Sequence, residues 1–326
     1  MRDDRARRGV PLAVTRAAPT PPAAPAGGHL DARALFYVSI AVLTWSSAYA
    51  SIAYALAAFT PGELAFARLL LAAGLFQGYL RLRRIALPPL AAWPPMLALG
   101  VVGLAAYHLC LNFAEVRVPS GTAAILIALI PGATAAVSAL WLRERLAART
   151  VFGLVLALGG VALVVFSSGQ DLRLQPRALL VLVSVLAAAI YFTGQKSSTQ
   201  RYGAEAVTAV TLAGGALGAA PFGLGIVHAL SAAPAPRLAA LLWLALGPTF
   251  LGYLTWNLAI HRTSATQVSS FIYCSSPLAV LIGWLWLGER PGFRSLAGGA
   301  LVIGGVILAN SRRRRAPAVQ AVAEEA

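Results

Sequence analysis

The chain has 326 residues, of which 59% are hydrophobic and only 11% are charged. Soluble domains carry about 25% charged residues, so this composition excludes an ordinary soluble enzyme or binding domain and indicates lipid as the main solvent. A net charge of +15 is also typical of nucleic-acid-binding proteins, but here the basic residues stand in short clusters between apolar segments. We therefore expect a lipid bilayer, and no nucleic acid, as a partner.

Residues 1–33 are rich in Arg, Pro and Ala and predict a disordered tail. Ten apolar segments follow, of about the length that a bilayer-spanning helix requires. They are 34–57, 62–80, 93–114, 120–141, 151–168, 178–199, 205–228, 238–260, 264–287 and 294–310. A second tail, 311–326, closes the chain. The predicted fold is an all-α membrane protein with ten transmembrane helices.

The distribution of Lys and Arg predicts the orientation of these helices. With the N-terminus inside, 19 of the 26 basic residues lie on the cytoplasmic side, 6 lie on the other side, and Arg68 lies within a span. Cytoplasmic loops carry the excess of positive charge, and only an even number of spans leaves the four arginines 312–315 inside. We expect a multi-pass protein of the cytoplasmic membrane with both termini cytoplasmic.

An internal repeat relates residues 112–145 to residues 257–290 at a spacing of 145 positions. The ungapped matches are Asn112 with Asn257, Ala114 with Ala259, Glu144–Arg145 with Glu289–Arg290, and Gly153, Gly159 and Gly160 with Gly298, Gly304 and Gly305. Residues 34–168 and 178–310 then form two units of five spans. Because five is odd, the second unit enters the membrane in the opposite sense, and inverted repeats are typical of secondary transporters.

The WSSAYA stretch at 45–50, Arg68 in the second span, and the two segments ending in Glu144–Arg145 and Glu289–Arg290 resemble the EamA-type permeases of the drug/metabolite transporter superfamily. The resemblance covers roughly residues 34–310. It implies a basket of ten helices that moves small metabolites across a membrane, and it leaves the metabolite open. Gln195–Lys196 and the Pro-rich N-terminal tail depart from the usual pattern of the family.

Two basic residues within or near spans are functional candidates. Arg68 lies about six residues into its span, roughly 9 Å deep, where a charge costs about 2.5–3.5 kcal/mol on insertion scales. We expect it to face the protein interior, either as a structural tie or as a contact to substrate. Lys196 is five residues from Arg201, and it either reaches the cytoplasmic surface by snorkelling or lines a cavity.

Two polar pairs occupy equivalent places in the repeat. His108 and Asn112 are spaced i, i+4 and share a helix face, as do Tyr253 and Asn257. They predict either cavity lining or hydrogen bonds between helices. Trp45 is too deep in its span for an interfacial belt, and we predict that substrate binds in a central cavity. The candidate substrate-binding residues are Trp45, Tyr49, Tyr107, His108, Asn112, Tyr191, Tyr253 and Asn257, with Arg68 and Lys196 as further candidates.

The carboxylates give less support for a site in the membrane. Thr60-Pro61-Gly62-Glu63 has the form of a capping box with proline at the first helical position, so Glu63 is assigned to the start of a helix. Glu115 and Glu205 lie at span ends, and Glu144 and Glu289 lie in loops. This placement counts against proton coupling through a central Asp or Glu, although His108 remains a group that titrates.

The function predicted is alternating-access transport of a small metabolite, an amino acid or related amphiphilic compound. A channel or lipid translocase on the same scaffold is the alternative, and an intramembrane enzyme is a more remote one. The sequence contains no nucleophile elbow, no His-Glu-x-x-His motif and no Walker-type glycine loop. We therefore predict no catalytic residues, no metal, no cofactor and no ATP-binding domain in this chain.

Overall fold

The computed structural model describes residues 31–142, 148–165, 167–168, 171–172, 176–262 and 271–310. Almost all of them are helical. The α-helices are α1 Ala32–Ala55, α2 Pro61–Arg83, α3 Trp93–Leu99, α4 Ala106–Glu115, α5 Ser120–Ile127, α6 Ile130–Leu142, α7 Ala148–Val165, α8 Pro176–Gly194, α9 Lys196–Tyr202, α10 Ala204–Ala219, α11 Ile226–Ala232, α12 Ala235–Leu244, α13 Gly252–Arg262, α14 Ile272–Leu287 and α15 Phe293–Asn310.

Shorter elements join or interrupt these helices. The 3₁₀ turns are Leu90–Ala92 and Ala220–Gly223, and the π-helical segments are Gly100–Ala105 and Ala245–Leu251. A two-residue antiparallel ladder pairs Ser167–Ser168 with Asp171–Leu172. Since the ladder lies between α7 and α8, it marks the junction of the two repeat units.

Within the described residues, seven helical stretches are long and apolar enough to cross a bilayer: Ala32–Ala55, Pro61–Arg83, Leu90–Glu115, Ser120–Trp141, Pro176–Gly194, Ala204–Gly223 and Ala235–Ala259. Three shorter apolar helices, Ala148–Val164, Cys274–Leu287 and Phe293–Ala309, correspond to the fifth, ninth and tenth predicted spans. Large apolar side chains such as Leu82, Phe152, Leu217 and Leu285 are exposed on the outer surface. These features describe an all-helical, multi-pass membrane protein.

The repeat extends to an irregular feature that the sequence did not predict. The π-helical segments begin at Gly100 and Ala245, which are 145 positions apart, the same spacing as Asn112 and Asn257. Pro248 has no N–H to donate to the carbonyl of Leu244 four residues back. The hydroxyl of Thr249 donates to that carbonyl instead, over 2.8 Å. Segments of π-helix occur frequently at functional sites.

The two halves contact each other through equivalent helices. Helix α1 packs against α13 and α14, and α8, its counterpart, packs against α4 and α6. Helices α7 and α15 meet along their glycines. A Cβ atom at Gly160 would lie 2.6 Å from the backbone oxygen of Gly298, and one at Gly305 would lie 2.5 Å from that of Gly153. Only glycine allows this approach, so the glycine spacing holds the two halves together at this pair.

Candidate functional site

A cavity of about 100 Å³ lies between the two halves. Its walls come from α1, α2, α4, α5, α6 and α8, from both π-helical segments, and from α13 and α14. Seven of the ten candidate residues line it: Trp45, Tyr49, Arg68, Tyr107, His108, Tyr191 and Tyr253. The structure therefore brings together residues from distant parts of the chain.

The indole of Trp45 ties the first half to the second. Its Nε1 donates to the backbone oxygen of Pro248 over 2.9 Å, an acceptor within the second π-helical segment. Its ring lies 5.0 Å from that of Trp256 and 5.9 Å from that of Tyr253, measured between centroids. Aromatic contacts at these distances each contribute about 0.5–1.5 kcal/mol beyond the buried area. Trp45 therefore forms a fixed wall of the cavity.

Four tyrosines complete the aromatic lining. The rings of Tyr191 and Tyr253 meet edge to face with centroids 6.5 Å apart, and the hydroxyl of Tyr191 lies 3.3 Å from that of Thr211. The phenols of Tyr49 and Tyr107 interact with each other. Rings and hydroxyls in this arrangement suit a ligand that has both apolar and polar groups.

Arg68 is the cation of this cavity wall. Its side chain is 4% exposed, and its Nε donates to the hydroxyl of Thr249 over 2.6 Å. No carboxylate of the described residues lies within 4 Å of the guanidinium, although Glu115 is within electrostatic reach. As predicted, Arg68 faces the interior. A buried guanidinium without a paired carboxylate is ready to bind an anion, because Arg binds carboxylates through two parallel hydrogen bonds.

His108 lines the cavity within electrostatic reach of Arg68. Its ring is 1% exposed and meets the Tyr107 ring edge to face at 4.9 Å. Neither Nδ1 nor Nε2 has a hydrogen-bond partner among the described residues. Buried polar atoms are normally paired, so an unpaired imidazole on a cavity wall indicates a place for a polar group of a ligand or for water.

The expectation that Asn112 and Asn257 line the cavity is not met. The amide of Asn112 donates to the backbone oxygen of Pro61 over 3.0 Å, and the amide of Asn257 contacts the hydroxyl of Thr208 at 3.4 Å. His108 and Tyr253 reach the cavity one turn earlier on the same helix faces. At Asn112 that face is covered by α2, and at Asn257 it is covered by α10. The two side chains therefore make equivalent hydrogen bonds between helices, the alternative that the sequence also allowed.

Lys196 does not line the cavity either. Helix α8 ends at Gly194, Gln195 forms a turn, and the exposed Lys196 begins the short helix α9. Because of this break, the side chain is carried out of the bundle, while Tyr191 in the preceding turn of α8 remains in the cavity wall. Of the two alternatives for Lys196, the structure agrees with the surface position.

Two carboxylates lie at the span end and in the loop where the sequence placed them, but their surroundings were not predicted. Glu115 is 6% exposed at the end of α4, and neither of its carboxylate oxygens has a hydrogen-bond partner in the described part of the chain. Glu289 accepts hydrogen bonds from the backbone N–H and hydroxyl of Ser120, over 3.0 and 2.7 Å, and from the N–H of Gly121 over 3.2 Å. A carboxylate of the second half therefore caps helix α5 of the first half.

The repeat drew attention to Glu289, because both halves end a span in Glu-Arg, but it gave no sign of the partner on α5. The equivalent residues Glu144 and Arg145 lie outside the described residues. The capping box at the start of α2 is confirmed: the hydroxyl of Thr60 accepts from the N–H of Glu63, and the Glu63 carboxylate accepts from the N–H of Thr60. Within the described ranges, no group of three or more His, Cys, Asp or Glu side chains is placed to hold a metal ion.

Comparisons with known proteins agree with this architecture. A protein of Streptantibioticus cattleyicolor named Probable terminal-alkyne amino-acid exporter is 32% identical over 290 residues, which cover 87% of this chain and 96% of that protein. An uncharacterised transporter of Bacillus subtilis, YdfC, is 30% identical over 268 residues, covering 82% of this chain and 88% of that protein. Both are similar along nearly their whole length.

A solved crystal structure matches the fold, with a TM-score of 0.56 and 21% identity over 85% of this chain and 96% of the other. The model of the EamA-like transporter family matches residues 32–166 and again residues 175–311. Since the two matches cover most of both halves, the chain is a membrane transporter of two EamA repeats and belongs to the EamA-like transporter family.

Proposed function

We propose that this protein is an alternating-access secondary transporter of a small amphiphilic metabolite that carries a carboxylate, an amino acid or a related compound. It works in the cytoplasmic membrane as ten transmembrane helices in two inverted units, with both termini in the cytoplasm. The observation that carries the proposal is Arg68, a buried guanidinium on the cavity wall with a hydroxyl partner and no paired carboxylate among the described residues.

The binding mode follows from this cation and its surroundings. A substrate carboxylate accepts hydrogen bonds from the free edge of the Arg68 guanidinium, while the Thr249 hydroxyl holds Nε and fixes the plane of the group. The unpaired imidazole of His108 is available to a second polar group of the substrate. An apolar substituent packs against Trp45 and Tyr253. These contacts together favour amphiphiles over purely ionic or purely apolar compounds.

The transport cycle requires the cavity to open. Its volume of about 100 Å³ is below the roughly 300–1,000 Å³ of typical ligand pockets, so a metabolite enters when the halves move apart. Movement of this kind breaks contacts between halves at one end of the bundle at a time. The name of the Streptantibioticus cattleyicolor relative, which refers to an amino acid, supports the same substrate class.

Counterflow into proteoliposomes tests the proposal. Vesicles loaded with an unlabelled amino acid should accumulate the labelled compound in a saturable way, and a panel of amino acids with matched carboxamides should show preference for the carboxylates. Arg68→Ala should lower transport efficiency for the carboxylate by about tenfold to a hundredfold, since a hydrogen bond to a charged group contributes about 1.5–3 kcal/mol. Efficiency for the carboxamide should change little.

The matched control is Arg81→Ala, an exposed arginine near the end of the same helix, which should leave efficiency unchanged. Arg68→Lys retains the charge but lacks the planar guanidinium, so its transport efficiency for the carboxylate should lie between those of Arg68→Ala and Arg81→Ala. If Arg68→Ala folds and still prefers carboxylate over carboxamide as the wild type does, the proposed binding mode is wrong. Flux without saturation or counterflow would instead indicate a channel.

A further inference from the structure

Glu115 is a buried acid that the proposed binding mode does not use. It is the last residue of α4, it is 6% exposed, and both of its oxygens lack hydrogen-bond partners among the described residues. An ionised carboxylate in that condition is one of the most costly groups that a protein can bury. The same side chain as a neutral acid carries no charge to desolvate, so burial and proton occupancy are linked at this residue.

Among the described residues, four charged or titratable groups interact electrostatically with Glu115. Helix α1 contributes Tyr49, α2 contributes Arg68, α4 itself contributes Tyr107, and the segment after α14 contributes Glu289; each interacts electrostatically with Glu115. The two acids repel each other when both are ionised, and Arg68 attracts the ionised form of Glu115. The proton on Glu115 therefore affects, and is affected by, both the cavity cation and the neighbouring carboxylate.

Glu289 connects this acid to a contact between the halves. Its carboxylate accepts three hydrogen bonds from Ser120 and Gly121 at the start of α5, which is the end of the bundle predicted to be external. Gly283 leaves room for it, because a Cβ there would lie 2.7 Å from the Ser120 hydroxyl and 3.0 Å from Glu289 Oε2. When Glu115 is neutral, the Glu289 anion can hold α5 without a second negative charge beside it.

We propose that Glu115 binds the proton that couples transport, and that this proton is required for closure of the Glu289–Ser120 contact. The inference rests on the proposed transport function. A proton from water adds to one carboxylate oxygen of Glu115 as the external end closes, and it returns to water, leaving the carboxylate, when the residue is next hydrated. In the conformation open to the opposite side, that water is in the cavity that Tyr49 and Tyr107 line.

A pH gradient imposed on proteoliposomes tests the coupling. If one proton moves with each turnover, one pH unit sustains about a tenfold substrate gradient. In Glu115→Gln, the side chain is permanently neutral, so closure remains possible but no proton is carried. We expect the pH gradient to produce no substrate gradient in this variant, while counterflow at equal pH stays within about twofold of wild type. Retained coupling in Glu115→Gln would overturn the proposal.

Two further variants separate a role in coupling from a role in folding. Glu63→Gln is the matched control, because glutamine also completes a capping box, and it should keep full coupling. Glu115→Asp retains a carboxyl group and should restore coupling even if Glu115→Gln proves unstable. If Glu115→Asp folds but shows no response to the gradient, the carboxyl group is not sufficient and the proposal fails.

Measurements on the wild type distinguish failure of the proton-coupling proposal from failure of the transport proposal. In weakly buffered vesicles, addition of substrate should move about one proton per substrate across the membrane, measured with an entrapped pH indicator. Substrate counterflow without proton movement overturns the role of Glu115 and leaves the transport function intact. Absence of counterflow for every amino acid in the panel overturns the transport function itself.

Discussion

The two halves of the molecule share their helical framework but contribute different groups to the cavity. In the first half, the helix that follows the π-helical segment presents Tyr107 and His108; at the equivalent positions, 145 residues later, the second half has Gly252 and Tyr253. Arg68 also comes from the first half. Because Arg68 and His108 both come from the first half, the cavity is asymmetric, and the proposed binding mode gives a substrate carboxylate one preferred orientation. The repeat determines where the walls lie, and the departures from the repeat determine what they bind.

The largest expected effect concerns the part of the framework that is most symmetric. Gly160→Leu and the equivalent Gly305→Leu should each lower the free energy of unfolding by about 3 kcal/mol or more, because their side chains would meet the backbone of the facing helix. The losses should be equal within error, measured as yield of monodisperse protein and thermal unfolding midpoint in detergent.

The neighbouring glycines supply a matched pair of controls. Gly159 and Gly304 are also equivalent in the repeat, and a Cβ at either position meets nothing within 4 Å. Gly159→Leu and Gly304→Leu should therefore fold as the wild type does. A large difference between Gly160→Leu and Gly305→Leu would show that the two halves do not contribute equally to this helix pair.

The next effect concerns the difference between the halves. Thr249→Val removes the acceptor that holds Arg68 Nε and the donor to the Leu244 carbonyl. We expect transport efficiency for carboxylate substrates to fall about tenfold, since each of these hydrogen bonds contributes roughly 1 kcal/mol. Thr255→Val is the control, because its hydroxyl donates to the backbone oxygen of Leu251, one turn earlier along the chain, and does not contact Arg68. Equal losses for carboxylate and carboxamide substrates would contradict a role through Arg68.

Substitution of the two asparagines tests a smaller difference between the halves, in the strength of equivalent hydrogen bonds between helices. Asn112 donates to a carbonyl over 3.0 Å, and Asn257 reaches a hydroxyl at 3.4 Å. Asn112→Ala should lower the free energy of unfolding by about 1–2 kcal/mol and Asn257→Ala by less than about 1 kcal/mol, while transport per folded molecule stays within about twofold. Thermal unfolding in detergent and counterflow measure the two effects. A tenfold loss of transport in a stable variant would return these residues to the binding site.

The sequence predicted the framework more fully than the site, for physical reasons. Hydrophobic spans and the spacing of 145 positions are written along the chain, and the cost of a buried charge correctly directed Arg68 inward. The spacing of His108 and Asn112 along the chain predicts that they share a helix face. Whether each of them meets the cavity or a neighbouring helix depends on where α2 crosses α4, which the local sequence does not determine. Glu115 was assigned to a span end by counting residues, and its burial comes from elements that are distant in sequence.

The smallest effect concerns a second tie between the halves, at the end of the bundle predicted to be cytoplasmic. Asp31 caps α1 by accepting from the N–H of Ala34 over 2.6 Å, and it pairs with Arg262 at 3.0 Å. The backbone hydrogen bond from Ala34 and, after it, the Arg262 guanidinium lower the pKa of the Asp31 carboxyl below its usual 3.8. Because the pKa is lowered in the folded state, the stabilisation is present above pH 3.8 and is lost as the pH falls through the lowered value.

We therefore expect Asp31→Asn to lower the thermal unfolding midpoint slightly at neutral pH, and the difference from wild type to disappear below the lowered pKa. Both side chains are substantially exposed, at 36% for Arg262 and 48% for Asp31, so salt should weaken the effect further. Arg262→Gln, which leaves the helix cap intact, should show a smaller shift than Asp31→Asn. A larger shift in Arg262→Gln would mean that this exposed pair, rather than the cap, stabilises the end of the bundle predicted to be cytoplasmic. That end would then depend on charge in the way that the Glu289–Ser120 contact does at the other.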